Sequence, residues 1–294
     1  MNGTCGAQAL YPGACVTEWV VDATRLYWTC STSGTVMAAP KDGSGPVTTL
    51  ASGQTGATGI AIDATQLYWT AGAVMVMPLA GSGETMLTTL GTSGSLIRVG
   101  GGYAWVMDGM SLIQVPVGGG PAVLAWTGGI LMGLTVDASQ VYWSTLCTSE
   151  EGGQFTQGLA YAMPLAGGAV TSNIFFNGDF LLRLIPWAGS ILGVAIDGGN
   201  CGPMATADPV ESVFGFELGH GGTIAYVPDG ATDGSTVYWA GPWDWSQMVV
   251  KKPGLPWGGG ALDGPLVDLP ATRLAVDDTY VYLYANGTIS RAFK

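Results

Sequence analysis

Residues 60–70 read IAIDATQLYWT. The same order of residue types occurs at 20–29 (VVDATRLYWT), 134–144 (LTVDASQVYWS) and 274–284 (LAVDDTYVYLY). Each copy runs apolar-x-apolar-Asp, then three polar residues, then apolar-Tyr-Trp-Thr or a close variant. An alternating run before the Asp and a β-branched, aromatic run after it predict two short strands joined by a tight turn. The Asp has a plain structural task there, because its carboxylate accepts backbone N–H groups in an Asx-type turn and fixes the hairpin.

A second pattern follows each kind of copy: GTVMAAPKDGSGPVTTLASG at 34–53, AVMVMPLAGSGETMLTTLG at 73–91, SLIQVPVGGGPAVLAWTGG at 111–129 and LAYAMPLAGGAVTSNIFFNG at 159–178. A strand runs into a Pro, a Gly-rich turn follows, and a Thr- or Val-rich strand closes the unit. Four strands, a to d, recurring every 40 or so residues are the arithmetic of a β-propeller blade.

Composition agrees with many short buried strands. Only 10% of the 294 residues are charged, 48% are hydrophobic, and Gly (48) and Pro (16) mark turns throughout. The 11 Trp, 11 Tyr and 7 Phe exclude a disordered chain. Gly, Ser, Thr or Asp breaks every apolar run short of the roughly 18 residues that a membrane helix needs. Nine basic residues in a chain of net charge -12 exclude nucleic acid as a partner, since phosphate neutralisation drives that affinity.

Strands b are placed at Trp28, Trp69, Trp143 and Trp239, with a degenerate one around Trp105 and a last one at 281–285 (VYLYA). The long interval between Trp143 and Trp239 takes a further blade, with 181–186 (LLRLIP) as strand a, 191–197 (ILGVAID) as strand b and 210–219 (VESVFGFELG) as strand c. The count is seven blades, with six as the alternative, in one all-β domain over residues 1–294. The last unit, GTISRAFK (287–294), lacks a strand d, and AQALYPG (7–13) precedes the first strand a at strand-d spacing. Pairing the two closes the ring and removes its exposed edge.

The repeat resembles the YWTD-type propellers, and more loosely the NHL and TolB types. Tyr27-Trp28-Thr29, Tyr68-Trp69-Thr70, Tyr142-Trp143-Ser144 and Tyr238-Trp239-Ala240 carry the resemblance. It also resembles Gly-rich secreted repeat proteins of predatory soil bacteria. The resemblance implies the fold and leaves the function open, because propellers host binding, scaffolding and unrelated chemistries. YWTD propellers normally have six blades, so a count of seven departs from that type.

Strand direction alternates, so d→a and b→c connections share one face, where propeller ligands usually bind, and a→b and c→d turns share the other. The repeated Asp22, Asp63, Asp137 and Asp277 fall on the second face as turn formers. His220, the only histidine, falls there too, in a c→d turn. No Ser–His–Asp set or zinc site can be built around it. The ligand face collects the segments that break the repeat: 144–158 with Glu150 and Glu151, 197–209, and 240–248 with Trp243, Asp244 and Trp245. Two d→a loops add Trp126 (125–133) and Asn177, Asp179 and Phe180 (176–180). Aromatic rings beside carboxylates and amides suit a sugar or another amphipathic ligand. The bland alternative is that long loops pack their own aromatics.

Arg98, Arg183 and Arg273 fall on inner strands, as does Glu18, the natural partner of Arg273 across blades 7 and 1. Arg98 and Arg183 either line the axial channel and hold an anion or water, or bond to inner-strand carbonyls. Of five cysteines, Cys15 and Cys30 share the ligand face of blade 1, and Cys147 and Cys201 sit in b→c loops of blades 4 and 5. Two disulfides, 15–30 and 147–201, follow from that placement, with Cys5 left over; buried thiols are the alternative. Disulfides imply an extracellular or periplasmic location.

Beside a purely structural or interaction propeller, marked by a large exposed apolar patch or an oligomer contact and not separated by sequence from a binding module, two functions remain. One is a monomeric, non-catalytic propeller that binds a glycan, small molecule or protein on the loop-rich face, without a cofactor. The other is a hydrolase or lyase at the channel mouth, with an axial divalent metal held by Glu18 and by Asp179 and Asp233 approaching from d→a loops.

Overall fold

A computed structural model describes residues 6–92, 94–145, 148–149, 155–156, 159–175, 179–187, 190–197, 229–243, 246–253, 265–267, 269 and 271–294. All regular structure among them is strand. Strand β1 (Gln8–Pro12) precedes blade 1, which is β2 (Glu18–Val21), β3 (Arg25–Cys30), β4 (Thr35–Pro40) and β5 (Thr48–Ala51). Blade 2 is β6 (Ile60–Ile62), β7 (Gln66–Thr70), β8 (Ala73–Pro78) and β9 (Thr85–Thr89). Blade 3 is β10 (Ile97–Gly100), β11 (Tyr103–Asp108), β12 (Ser111–Pro116) and β13 (Val123–Thr127).

Blade 4 is β14 (Leu131–Val136), β15 (Gln140–Thr145), β18 (Leu159–Pro164) and β19 (Thr171–Phe175); a small hairpin, β16 (Thr148–Ser149) with β17 (Phe155–Thr156), interrupts it. The fifth position holds the pair β20 (Asp179–Trp187) and β21 (Ser190–Asp197). Blade 6 is β22 (Asp229–Thr232), β23 (Thr236–Trp243), β24 (Ser246–Pro253) and β25 (Pro265–Val267). The last blade is β26 (Arg273–Val276), β27 (Tyr280–Ala285) and β28 (Thr288–Phe293), completed by β1.

The inner strands β2, β6, β10, β14, β20, β22 and β26 neighbour one another in that order, and β26 returns to β2. Six sheets of the ring are four-stranded and antiparallel. The strand expected at 210–219 lies outside the described residues, as does His220. The chain closes the ring as its ends require, with β1 antiparallel to β28 from Gln8 opposite Arg291 to Pro12 opposite Thr288.

The core lies between blades. Tyr and Trp are adjacent on strand b, so they point to opposite sheet faces. Trp69 packs back into a cluster with Tyr27, Val36 and Ala38 of blade 1, and Tyr68 packs forward with Ile97, Ala104 and Val115 of blade 3. Most strand positions are therefore buried on both sides, which is why the hydropathy is high and the alternation blurred. Close approach also fixes the glycine at 59, where a Cβ would lie 3.0 Å from the backbone of Ser95 and Ile97 and from the Thr70 hydroxyl.

The repeated Asp does more than shape its turn. Asp63 Oδ1 accepts the N–H groups of Thr65 (2.7 Å) and Gln66 (2.8 Å), while Oδ2 accepts the Tyr68 hydroxyl at 2.7 Å. Asp22 with Tyr27, Asp137 with Tyr142 and Asp277 with Tyr282 repeat this at 2.9, 2.8 and 2.8 Å. Asp233 with Tyr238 is a fifth copy, at 3.3 Å. Blade 3 solves the same problem without a carboxylate. Val117 N bonds Gly102 O as Lys41 N bonds Thr24 O, which aligns Gly102 with Thr24 and hence Trp105 with the repeat's Tyr, not with its Trp. The Trp105 indole N–H accordingly donates to the Gly100 carbonyl at 3.3 Å.

Among the described residues, the residue just after strand c locks its blade to the one before it. Leu79, Val117 and Leu165 pack on the clusters shared with the preceding blade. In blade 1 and in the last blade the same position is Lys, and the lock is an ion pair. Lys41 reaches Asp277 of the last blade at 2.6 Å, and Lys294 reaches Asp233 of blade 6 at 2.5 Å.

Burial alone would raise the carboxyl pKa of these aspartates. The turn N–H groups and Tyr hydroxyls outweigh it and hold Asp22, Asp63 and Asp137 below the usual range. Burial and the neighbouring carboxylate push Tyr27 and Tyr238 up to about 12. A depressed carboxyl adds stability that is present above its unfolded pKa and lost as pH falls through the folded one. A raised phenol adds stability that is present below its unfolded pKa and lost as pH rises. Urea denaturation is therefore expected to show stability falling below about pH 4 and again above about pH 10. At neutral pH, Asp63→Ala should cost about 2–3 kcal/mol and Tyr68→Phe about 1 kcal/mol, and the double variant should cost less than their sum.

Candidate functional site

Register places three charged residues at one level of the inner wall, at the ligand-face ends of consecutive strands. Glu18 opposes Thr29, Asp229 opposes Ala240 and Arg273 opposes Tyr284. Gly133 and Gly59 lie at the same level in blades 4 and 2, where the neighbouring backbone leaves no room for a side chain at Gly59. Glu18 and Asp229 are buried, at 7% and 4% exposure.

These groups hold blade to blade. Arg273 Nε donates to Thr17 O of blade 1 at 2.8 Å and lies 3.6 Å from Glu18 Oε2, while its Nη1 donates to Thr272 O at 2.7 Å. Asp229 Oδ2 accepts Leu274 N of the last blade at 2.9 Å. Threonines continue the series: Thr29 Oγ1 donates to Thr58 O (2.8 Å), and Thr58 Oγ1 to Gly94 O (2.6 Å). Among the described residues, such bonds join blade 6 to the last blade, the last blade to blade 1, blade 1 to blade 2 and blade 2 to blade 3, and they fix that part of the channel mouth. Arg98 lies on β10, two residues deeper than this level, and its Nη1 bonds Ile97 O at 2.8 Å.

Some expected site residues sit elsewhere. Trp126 belongs to β13, not to the loop after it, and is half-buried between blades 3 and 4. Its ring lies 5.0 Å from Tyr161 and 5.7 Å from Trp143, and a Cβ on Gly128 would strike it. Pairing with β21 and β24 likewise draws Asp179, Phe180 and Trp243 into β20 and β23, so they are strand residues and not loop residues. Asp233 does not approach the channel from a d→a loop. It forms the a→b turn of blade 6 on the opposite face, because Ser235 N, Thr236 N and Tyr238 claim its carboxylate. Its spacing, five residues before Tyr238, is the signal that identifies it.

Glu150, Glu151, Asn177, Asp244, Trp245, Cys147 and Cys201 lie outside the described residues, as do the side chains of Asp179, Phe180, Arg183 and Trp243. Cys15 and Cys30 form a disulfide, with Cα atoms 5.4 Å apart.

Two acidic positions escaped the sequence reading. Asp229 carries no repeat signal of its own. Asp197 ends β21 directly opposite Asp179, which places both at the ligand-face end of the fifth position. Among the described residues no three His, Cys, Asp or Glu side chains are gathered as a metal site, and no helix is long and apolar enough to cross a membrane.

No family model matches the chain, and no curated protein does. Solved structures match along nearly its whole length. YCF48 bound to a D1 peptide superposes with TM-score 0.65 at 13% identity, covering 99% of this chain and 96% of that one. The Cps50 (Swd1) β-propeller domain of Myceliophteria thermophila gives 0.65 at 10%, covering 96% and 97%. A gluconolactonase from Xanthomonas campestris gives 0.54 at 16%, covering 97% and 89%. At such identities the likeness is one of fold, and the fold is a β-propeller.

Removing the guanidinium leaves Glu18 buried beside an unanswered Thr17 carbonyl. Arg273→Met should therefore lower stability by about 2–3 kcal/mol. Adding Glu18→Gln should recover part of that loss, as read by thermal and urea unfolding.

Proposed function

We propose that this propeller is a non-catalytic binding module that engages a glycan, small molecule or peptide on the face formed by the d→a and b→c connections. One observation carries the reading. On the opposite face the repeated carboxylates are committed to turn N–H groups, tyrosines or lysines, whereas the lengthened strands and the extra hairpin among the described residues point to the first face. There β23 and β24 run eight residues each, against five or six for the matching strands of blades 1 to 3. Their hairpin ends at Trp243 and Ser246, and the β16–β17 hairpin stands on the same side. A strand scaffold whose connections break the repeat on one face is the usual arrangement for recognition. The peptide held by the YCF48 propeller makes an extended peptide one reasonable ligand class. A disulfide in blade 1 supports an oxidising location outside the cytosol.

A second reading has its own observation. Asp179 opposite Asp197, with Asp229 on the next inner strand, puts three acidic positions in one sector of the mouth. A divalent cation there would support hydrolytic chemistry, and a lactone is the substrate class to try first.

Glycan and peptide arrays, followed by thermal shift, test the binding reading. A hit is expected whose shift falls at least about ten-fold in apparent affinity in Trp243→Ala and Trp245→Ala, without a change in the unliganded melting temperature. Silence on both arrays, with metal-stimulated lactone hydrolysis that Asp179→Asn abolishes, would replace the first reading by the second.

A further inference from the structure

We infer that the Cys15–Cys30 disulfide is a reducible latch on ring closure, opened by a dithiol in the folded protein and releasing β1 from β28. The covalent ring has one gap, between the C-terminal strand and β1. β1 is a five-residue outer strand whose only sheet partner among the described residues is β28. Tyr11 is its one buried residue, and the Tyr11 hydroxyl donates to the Pro40 carbonyl of blade 1. Edge strands with so little burial belong to the low-stability end of a structure.

Residues 13–17 join this strand to blade 1. Tyr284 OH bonds Ala14 O at 3.1 Å, Thr17 N bonds Thr29 O at 2.8 Å, and Cys15 is tied covalently to the end of β3. The covalent tie thus holds the strand three residues from its end, at high local concentration beside β28.

The bond is placed for exchange. Cys15 is half-buried, whereas Cys30 is only 2% exposed. Thr32, an exposed residue, sets its Oγ1 3.2 Å from both sulfurs. A disulfide sulfur carries no proton, so the hydroxyl is the donor in either contact. A reductant thiolate reaches Cys15 Sγ, forms a mixed disulfide there and breaks the S–S bond. The electron pair leaves on Cys30 Sγ, where the Thr32 hydroxyl stabilises it until it takes a proton. The reductant's second thiol then expels Cys15 as a thiolate, which is protonated in turn. The protein gains two electrons and two protons, and the dithiol becomes its own disulfide.

The test uses the full chain under native conditions with graded dithiothreitol. Peptide-resolved alkylation reads Cys15 and Cys30 separately from Cys5, Cys147 and Cys201, and amide hydrogen exchange is followed on the same samples. Reduction of the pair should precede any global unfolding and should speed exchange at least about ten-fold in residues 8–12 and 288–293, while β7 and β11 stay protected. Thr32→Val, which leaves the disulfide in place, should slow the reduction about ten-fold. Three results would overturn the inference: a pair that reduces only in denaturant, a reduced pair with β1 still protected, or an unchanged rate in Thr32→Val.

Discussion

The carboxylate shared between a turn and a tyrosine is the interaction on which the architecture rests. Each repeated Asp gathers two N–H groups from its own hairpin and one hydroxyl from the strand that follows. The first two set where strand b begins. The third fixes the Tyr ring on the side facing the next blade, which leaves the adjacent Trp to face the previous one. One side chain thereby sets both the shape of a hairpin and the direction of packing around the ring. Blade 3 shows that the geometry matters more than the residue, since Gly100 and Trp105 rebuild it from a carbonyl and an indole.

That economy explains why a chain with so few charges can be well determined. Leu79, Val117 and Leu165 interlock interior blades by shape. In blade 1 and in the last blade the same position is Lys41 or Lys294 and finds an aspartate, and the Lys41 pair spans the seam where no peptide bond joins the last strand to the first. Arg273 with Glu18, and Arg291 with Gln8 at 3.0 Å, serve that seam too.

Much of this was legible in the sequence. The repeat gave the strands, the turns and the ring closure, because a local hairpin with a capping Asp needs only neighbours in sequence. The pairing of Cys15 with Cys30 followed from strand direction alone. Less legible were features set between blades. Asp229 looks like any loop residue until β22 is seen to pass beside β26. Trp105 reads as the repeat's Trp until the pairing of Gly100 with Tyr103, across a turn of the repeat's usual length, shows it standing where the repeat has its Tyr. Trp126 looks like a loop aromatic because nothing local reveals that a half-buried slot between Tyr161 and Gly128 awaits it. Binding residues are hardest, since an irregular loop carries no period against which to read it.

The pairing of β1 with β28 joins some of the first residues of the chain to some of the last. During synthesis the first strand emerges with no partner and must wait while every other blade is made. Its sheet forms only when residues 288–293 have left the ribosome. Until then, blade 1 presents a bare inner flank with Trp19 and Leu26 on it, and Tyr282 and Ile289, which will cover them, do not yet exist. Contacts of such separation are slow to form. The order of manufacture therefore makes the open ring an obligatory intermediate, and a chain cut short by even one strand would remain one.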